Sequence, residues 1–165
     1  MGCFSVHNKV MENIEVAYRP ARSSDAPFVA HLCYGTNSVR SVEERLRGII
    51  TSAPSVAAVY GGNNAWHVVG VVTTRKHDLS NLEIQQLRVA AEYQGQGIGT
   101  YLLRQLEQEA AGTYSALSVA LPYSSPSQLA RDKDFFMRRN GYKQIMNDEG
   151  QVVLSKIILP GTKSN

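Results

Sequence analysis

A glycine-rich turn in front of an amphipathic helix is the feature that most restricts the fold of this 165-residue chain. The helix is predicted from an apolar stripe with a four-residue repeat, followed by a glycine stop signal. The stripe consists of Ile98, Leu102, Leu106 and Ala110, with Leu103 beside it, and the stop is Gly112. Three more glycines, Gly95, Gly97 and Gly99, fall in the predicted first turn. Because each glycine inside a helix costs about 1 kcal/mol relative to alanine, we expect this turn to need a bare backbone.

The predicted turn has the properties of an anion site. The first N–H groups of a helix have no partner within it, and the helix dipole makes that end positive. A strand, a glycine turn and a helix in succession therefore predict a binding site for phosphate.

The strand before this turn has an irregular apolar pattern. Leu82 and Ile84 are apolar at even positions, whereas Leu87 and Val89 are apolar at odd positions. One extra residue between Ile84 and Leu87 would shift the two-residue period in this way, which predicts a β-bulge. A bulge leaves a backbone N–H without a partner in the sheet, free to bind something else. The alternative is an uneven strand without a bulge.

The remaining patterns predict a single domain over residues 1–165, with an ordered core at about 14–159. The predicted order of elements is β, α, α, β, β, β, α, β, α, β, β, and residues 1–12 show no periodicity. A capping-box spacing at Ser41 and Glu44 predicts the start of the second helix. A strand–helix–strand unit between hairpins implies an α/β fold, with a mixed sheet and helices on both faces.

Composition excludes several classes of function. The 17 basic and 14 acidic residues give a net charge of +3, which is too mild to indicate nucleic-acid binding. The two cysteines, Cys3 and Cys33, cannot form a disulfide framework. No segment has the roughly 18 to 20 apolar residues of a membrane span, and the N-terminus lacks a signal-peptide pattern. We therefore expect a cytoplasmic protein without a membrane anchor, and no metal site is predicted.

Residues 94–99, Gln-Gly-Gln-Gly-Ile-Gly, resemble motif A of the GNAT superfamily of N-acetyltransferases. That motif is Gln/Arg-x-x-Gly-x-Gly/Ala at the start of a helix that follows a bulged strand. The upstream pattern at residues 83–89, Glu-Ile-Gln-Gln-Leu-Arg-Val, is also typical of the family. The Rossmann fingerprint, G-x-G-x-x-G, does not fit the spacing of these glycines. The resemblance implies the GNAT-like version of the α/β fold, with a mixed and mostly antiparallel central sheet.

The resemblance implies direct transfer of an acetyl group from acetyl-CoA, as co-substrate, to a primary amine of a small molecule or peptide in a ternary complex. The co-substrate-binding residues that it implies are Leu87, Arg88, Val89, Gln94, Gly95, Gln96, Gly97, Ile98, Gly99 and Thr100. The N–H groups of residues 94–100 would hold the pyrophosphate, and Leu87 and Val89 would pair with the pantetheine arm as with an added strand. The N–H of Leu87, taken as the spare donor at the bulge, would stabilise the oxyanion.

The attacking amine must lose a proton before or during its attack, which suits a general base. The family often has a glutamate at the position of Glu83, and we name Glu83 the candidate base. The alternative role for this carboxylate is to order water or to bind the cationic amine. His67 and His77 are further candidates, although a single histidine in a strand or turn is more often structural.

One departure from the family concerns the leaving thiolate. The family usually protonates it with a tyrosine four residues before a glycine, in the pattern Phe-Tyr-x-x-x-Gly-Phe. Here Met137 stands at that position before Gly141, and methionine cannot donate a proton. Tyr123 in the preceding loop is one substitute, and the thiolate could also leave without a dedicated acid.

Three smaller features of the resemblance leave alternatives. The asparagine expected near the start of the next helix is missing, and its stand-ins are Ser124, Ser125 and Ser127. The cations Arg131, Lys133, Arg138 and Arg139 would either meet the 3′-phosphate of the co-substrate or form an ordinary exposed helix face. Residues 35–38 form either a lip of the acceptor entrance or a plain connection between helices.

Two functions other than catalysis are also compatible with the sequence. Because the usual tyrosine is absent, the chain could bind acetyl-CoA without turnover, as a sensor or interaction module. A generic phosphate-binding α/β protein is the third reading, and it would not prefer CoA over ATP or NAD. A homodimer is compatible with the resemblance.

Overall fold

The computed structural model describes residues 9–11, 14–35, 40–62, 65–122, 125–146 and 151–159. The strands in these ranges are β1 Lys9–Met11, β2 Ile14–Pro20, β3 Val56–Gly62, β4 Ala65–Lys76, β5 Asn81–Val89, β6 Ala116–Ala120, β7 Lys143–Met146 and β8 Val152–Ile157. The helices are α1 Ala26–Tyr34, α2 Arg40–Ser52, α3 Ile98–Ala110 and α4 Pro126–Lys133, and α4 continues as a π-helical segment, Asp134–Arg139.

All of these strands belong to one sheet, in the order β1-β2-β3-β4-β5-β6-β8-β7. Neighbouring strands are antiparallel except β5 and β6, which run parallel. The connection between β5 and β6 contains α3, as a parallel pair requires. The prediction of a mixed and mostly antiparallel sheet is therefore confirmed.

The helices cover both faces of the sheet, as predicted. On one face, Leu102 of α3 packs with Leu82 and Ile84 of β5 in the larger core cluster. On the other face, Leu46 of α2 packs with Val71 of β4 and with side chains of α1. We call these surfaces the α3 face and the α1–α2 face.

The amphipathic pattern predicted α3 well. Its five stripe residues, Ile98, Leu102, Leu103, Leu106 and Ala110, are all buried. The helix ends at Ala110, and the stop signal Gly112 has a positive φ of 88°. This conformation is the left-handed one that glycine adopts readily after a helix.

Two expectations about other elements were wrong. Part of the N-terminal segment without periodicity forms a strand, in which Val10 pairs with Glu15 of β2. A strand of three residues is too short to show an alternating pattern. Ser41 does not cap α2 because the helix already begins at Arg40. Glu44 pairs instead with Arg40, at 3.2 Å between Nε and Oε1, as neighbours four residues apart on a helix do.

A buried ion pair joins the end of β2 to the start of α1. The carboxylate of Asp25 accepts hydrogen bonds from Arg19 Nη1 at 2.7 Å and Nη2 at 2.8 Å, and from the N–H of Arg22 at 2.8 Å. Burial disfavours the charged form of Asp25, but these hydrogen bonds and the charges of both arginines outweigh it and lower its pKa. The pair fixes the position from which α1 crosses the sheet.

The start of α3 approaches β4 very closely at Gly70. A Cβ atom at Gly70 would lie 3.1 Å from Leu102 Cδ1 and 3.3 Å from both Arg88 O and Ile98 Cγ2. A side chain at this position would push α3 away from the sheet. The glycine therefore allows the start of α3 to pack closely against β4.

Candidate active site

The parallel strands β5 and β6 separate at the middle of the sheet. Within the described residues, their ladder runs only from Asn81 and Ala116 to Glu83 and Ser118. Beyond that point the edge of β5 and the segment Val119–Pro122 line opposite walls of a cleft of about 920 Å³. Strands that separate in this way expose backbone groups that a ligand can pair with.

The predicted bulge is present in β5. Thr73 of β4 pairs with Gln86 and Thr74 pairs with Ile84, so Gln85 is the extra residue. Because the bulge shifts the two-residue period by one, Ile84 and Leu87 point to the same face of the sheet. Both side chains pack in the larger core cluster.

After the bulge, two backbone N–H groups of β5 point toward the cleft. The N–H of Ala90 donates to Val69 O of β4 at 2.9 Å. Successive N–H groups of a strand point to opposite edges, so those of Leu87 and Val89 point away from β4, into the cleft. Leu87 itself pairs with Val72, and the extra residue is Gln85. The cleft-facing donor at Leu87 therefore results from the separation of β6, and the expectation that it is the spare N–H of the bulge was wrong.

Two of the three glycines lie before α3, and only one lies within it. Gly95 and Gly97 have positive φ angles of 75° and 83°, and Gly97 is the residue before the first helical residue, Ile98. We expected all three glycines in the first turn of the helix, but only Gly99 lies within it. The bare backbone is needed because two of these positions are left-handed, which is costly for any other L-residue.

The N-terminus of α3 opens into the same cleft. The N–H of Tyr101 donates to Gly97 O at 3.1 Å and makes the first bond of the helix. Within the described part of the chain, the N–H groups of residues 95–100 donate to no other residue. A row of unpaired N–H groups at the positive end of a helix is an anion-binding arrangement.

A further wall of the cleft comes from α4 and its π-helical extension. Its lining residues recur at helical spacing and are Gln128, Asp132, Phe135, Phe136 and Arg139. A Cβ atom on Gly99 would lie only 3.3 Å from Phe135 Cζ, so this ring packs directly on the start of α3. The carboxylate of Asp132 accepts a hydrogen bond from Gln128 Nε2 at 2.8 Å. Sequence reasoning missed these residues except Arg139, although their spacing marks one face of a helix.

Met137 does not take the place of the missing tyrosine. Its side chain is half-buried against the core cluster and does not line the cleft. The neighbouring Phe136 lines the cleft instead, and its ring has no proton to donate. The substitute Tyr123 lies outside the described residues, as do Ser124 and residues 36–38.

Glu83 lies beside the cleft with its carboxylate on the α1–α2 face. Oε2 accepts hydrogen bonds from Arg75 Nη2 at 2.8 Å and Nε at 3.1 Å, and Oε1 accepts one from Gln85 Nε2 at 3.0 Å. The Nδ1 atom of His77 lies 3.7 Å from Oε2. The Glu83 side chain is 14% exposed and that of Arg75 59%, so solvent reaches the pair mainly from the arginine side. The carboxylate is fixed in orientation and keeps lone pairs for another donor.

The structure brings most of the predicted residues together. All of the implied co-substrate-binding residues line the cleft except Gln96, whose side chain donates instead to Glu92 O at 3.2 Å. Gln94 lines the cleft while its side chain donates to Val89 O at 2.9 Å, which ties the turn to the end of β5. The roles of these residues stay predictions.

Several other candidates lie elsewhere. His67 is exposed on β4, away from the cleft lining. Ser125 caps α4 by accepting from the N–H of Gln128 at 3.3 Å, and its hydroxyl lies 3.1 Å from that of Ser127. Of the four cations on α4 and its extension, only Arg139 lines the cleft.

The described residues contain neither a membrane-spanning helix nor a cluster of metal ligands. None of the helices there combines the length and the apolar character needed to cross a membrane. No group of three or more His, Cys, Asp or Glu side chains in the same residues is arranged to hold a metal ion.

The chain is also similar to known proteins. A family model described as the Acetyltransferase (GNAT) family matches residues 17–142. By sequence, no curated protein matches the chain.

Three similar solved structures have low sequence identity to this chain. Arabidopsis thaliana NAA60, in complex with a bisubstrate analogue, is 14% identical with a TM-score of 0.65, and the match covers 88% of this chain and 99% of that chain. An IAA acetyltransferase from Bacillus cereus is 23% identical with a TM-score of 0.56, covering 86% and 99%. A GNAT family acetyltransferase from Elizabethkingia anophelis with acetyl-CoA bound is 21% identical with a TM-score of 0.52, covering 89% and 99%. These structural similarities show that the chain shares the fold of these proteins.

Proposed function

The chain belongs to the GNAT acetyltransferase family, and from this premise we propose that it transfers an acetyl group from acetyl-CoA to a primary amine of a small molecule or peptide. The observation that carries the proposal is the presence of two sets of cleft-facing N–H groups in one cleft. One set lies on the separated edge of β5 and the other at the N-terminus of α3. The similar protein from Elizabethkingia anophelis has acetyl-CoA bound, which supports the same co-substrate here.

The two sets of donors suit the two parts of this co-substrate. The N–H groups of residues 95–100 would bind the pyrophosphate at the positive end of α3. The edge of β5 would pair with the amide groups of the pantetheine arm through Leu87 and Val89. A cleft of about 920 Å³ is large enough for a ligand of this size.

The N–H of Leu87 is proposed to act on the thioester carbonyl. A donor fixed in a strand needs no reorganisation when the carbonyl oxygen becomes negatively charged. Fixed donors of this kind stabilise an oxyanion by roughly 2.7 to 4 kcal/mol in comparable sites.

Glu83 is proposed as the group that takes the proton of the attacking amine, directly or through water. Arg75 and Gln85 hold its carboxylate on the α1–α2 face, while the co-substrate occupies the α3 face. The alternative role is that of a counter-ion, which binds the ammonium group without taking its proton. The kinetics of the Gln variant, described in the Discussion, separate the two roles, because loss of a base lowers kcat whereas loss of a counter-ion raises KM for the amine.

The departing thiolate is proposed to leave without a dedicated acid. Met137 and Phe136 cannot donate a proton. A free thiol has a pKa of about 8.5, so the thiolate is a moderately good leaving group and can take up a proton from water.

We expect acetyl-CoA to raise the melting temperature of the protein, and ATP and NAD to have no comparable effect. With a panel of amines and peptides, release of free thiol from acetyl-CoA should exceed the rate without amine for at least one acceptor. Tight binding of acetyl-CoA with no turnover on any amine would instead support the sensor, for which the missing tyrosine is the favouring observation. Equal stabilisation by all three nucleotides would support a generic phosphate-binding protein.

A further inference from the structure

The acceptor and the co-substrate must enter the cleft from different faces of the sheet. The α3 face of the cleft is bounded by α4 and by α3, whose N-terminal N–H groups suit acetyl-CoA. The carboxylate of Glu83 lies on the opposite face, where Arg75 reaches it. An amine that uses Glu83 therefore approaches along the α1–α2 face, and the charges on that face decide which amines bind.

Arg88 is a free cation at this entrance. It pairs with Val71, whose side chain packs on α1 and α2, so the Arg88 side chain points to the same face. Its charge is close enough to Cys33 of α1 to oppose the rise in the pKa of that thiol that burial causes. The hydrogen bond that the guanidinium makes, to Leu87 O at 3.3 Å, is a weak one to its own neighbour. In the sequence, Arg88 comes directly after Leu87, the residue proposed to hold the thioester carbonyl.

Arg45 of α2 is a second free cation near the same point. Its Nη2 donates to the hydroxyl of Tyr34 at 3.3 Å. Tyr34 follows Cys33 in the last turn of α1, so Arg45 and Arg88 each interact with one side chain of this turn. Within the described residues, neither arginine has a carboxylate at ion-pair distance.

Two of the nearby carboxylates are already paired with other arginines. Glu83 is paired with Arg75, at 2.8 Å between Oε2 and Nη2. Glu44 of α2 is paired with Arg40, at 3.2 Å between Oε1 and Nε, and Glu43 lines a surface pocket with Arg40 and Arg47. The entrance on the α1–α2 face therefore carries two uncompensated positive charges beside one compensated carboxylate.

We propose that the acceptor is a primary amine that also carries a carboxylate, with the carboxylate held by Arg88 and Arg45 and the amine directed to the cleft. This inference rests on the proposed function and names its substrate class. Guanidinium groups bind carboxylates through strong, charge-assisted hydrogen bonds. In the reaction, the amine nitrogen forms a bond to the acetyl carbon and the bond between that carbon and sulfur breaks. The electron pair leaves on sulfur, which is protonated by water, and Glu83 or water takes the proton of the amine.

The test compares amino acids with their amides, in which a neutral group replaces the carboxylate. It also compares acidic peptides with peptides in which Asn or Gln replaces the acidic residue. We expect kcat/KM of the wild-type protein to be at least about tenfold higher for the carboxylate member of each productive pair, as a hydrogen bond to a charged group allows. Arg88→Gln and Arg45→Gln should each remove most of this preference. Because Arg45 is not part of the cleft lining, Arg45→Gln should also leave acetyl-CoA affinity within a factor of about two. Arg47→Gln on the same helix is the matched control and should keep the preference.

The outcomes separate this inference from the function on which it rests. Preference for amino acids identifies a small acceptor, and preference for acidic peptides a macromolecular one. Faster transfer to amides or polyamines, or a preference that survives both arginine variants, overturns the inference and leaves acetyl transfer intact. Failure to acetylate any amine overturns both.

Discussion

Replacing Gly97 with glutamate is expected to abolish the binding of acetyl-CoA. The substitution places a negative charge among the N–H groups proposed to hold the pyrophosphate, at the positive end of α3. It also forces a side chain into a left-handed position, with φ at 83°. We expect Kd, measured by titration calorimetry, to rise at least about 100-fold, which corresponds to about 2.8 kcal/mol.

Two control variants separate charge from strain. Gly97→Gln keeps the shape and the backbone strain without the charge, and should weaken binding much less than the glutamate. Gly112→Glu introduces the same residue at a position with φ of 88° at the opposite end of α3, and should bind acetyl-CoA as the wild type does. Equal loss of binding in Gly97→Glu and Gly112→Glu would mean that helix damage, and not an anion site, explains the result.

Replacing Glu83 with glutamine is expected to lower kcat about 100-fold, as the loss of a general base does. The amide nearly keeps the shape of the side chain, but it cannot take a proton from the amine. Since the carboxylate lies on the face away from α3, Kd for acetyl-CoA should change by less than a factor of about two. The pH–rate profile should also change shape, because one titrating group is removed.

Glu107→Gln is the matched control for this variant. Glu107 pairs with Lys156 at 2.7 Å, so its replacement also breaks a partly buried ion pair, but outside the cleft. It should keep the rate of the wild type. A pH–rate profile of Glu83→Gln that keeps the shape of the wild type would remove Glu83 from the mechanism. A higher KM for the acceptor with kcat unchanged would assign Glu83 the role of an ammonium counter-ion.

Patterns within one element predicted much of the fold. The apolar repeat of α3 and the shifted period of β5 are local, because helices and strands have fixed periods of 3.6 and two residues. Both the helix and the bulge are therefore visible in the sequence. The start of α3 was placed too early because glycine spacing does not reveal the sign of φ at Gly95 and Gly97.

Contacts between distant segments were not predictable in the same way. The separation of β5 from β6 determines which backbone donors face the cleft, and it depends on how two strands joined by a helix diverge. The partner of Glu83 is Arg75, eight residues earlier and on the neighbouring strand. The wall made by α4 and its π-helical extension depends on how this helix packs beside α3, which places Phe136 in the cleft lining and leaves Met137 out of it.

The most direct test of the central claim is a crystal structure of the protein with acetyl-CoA. We predict that pyrophosphate oxygens lie within hydrogen-bond distance of N–H groups in residues 95–100. The pantetheine arm should lie along the edge of β5, with the thioester carbonyl toward the N–H of Leu87. If acetyl-CoA bound elsewhere on the surface at full occupancy while the cleft stayed empty, the result would contradict the account.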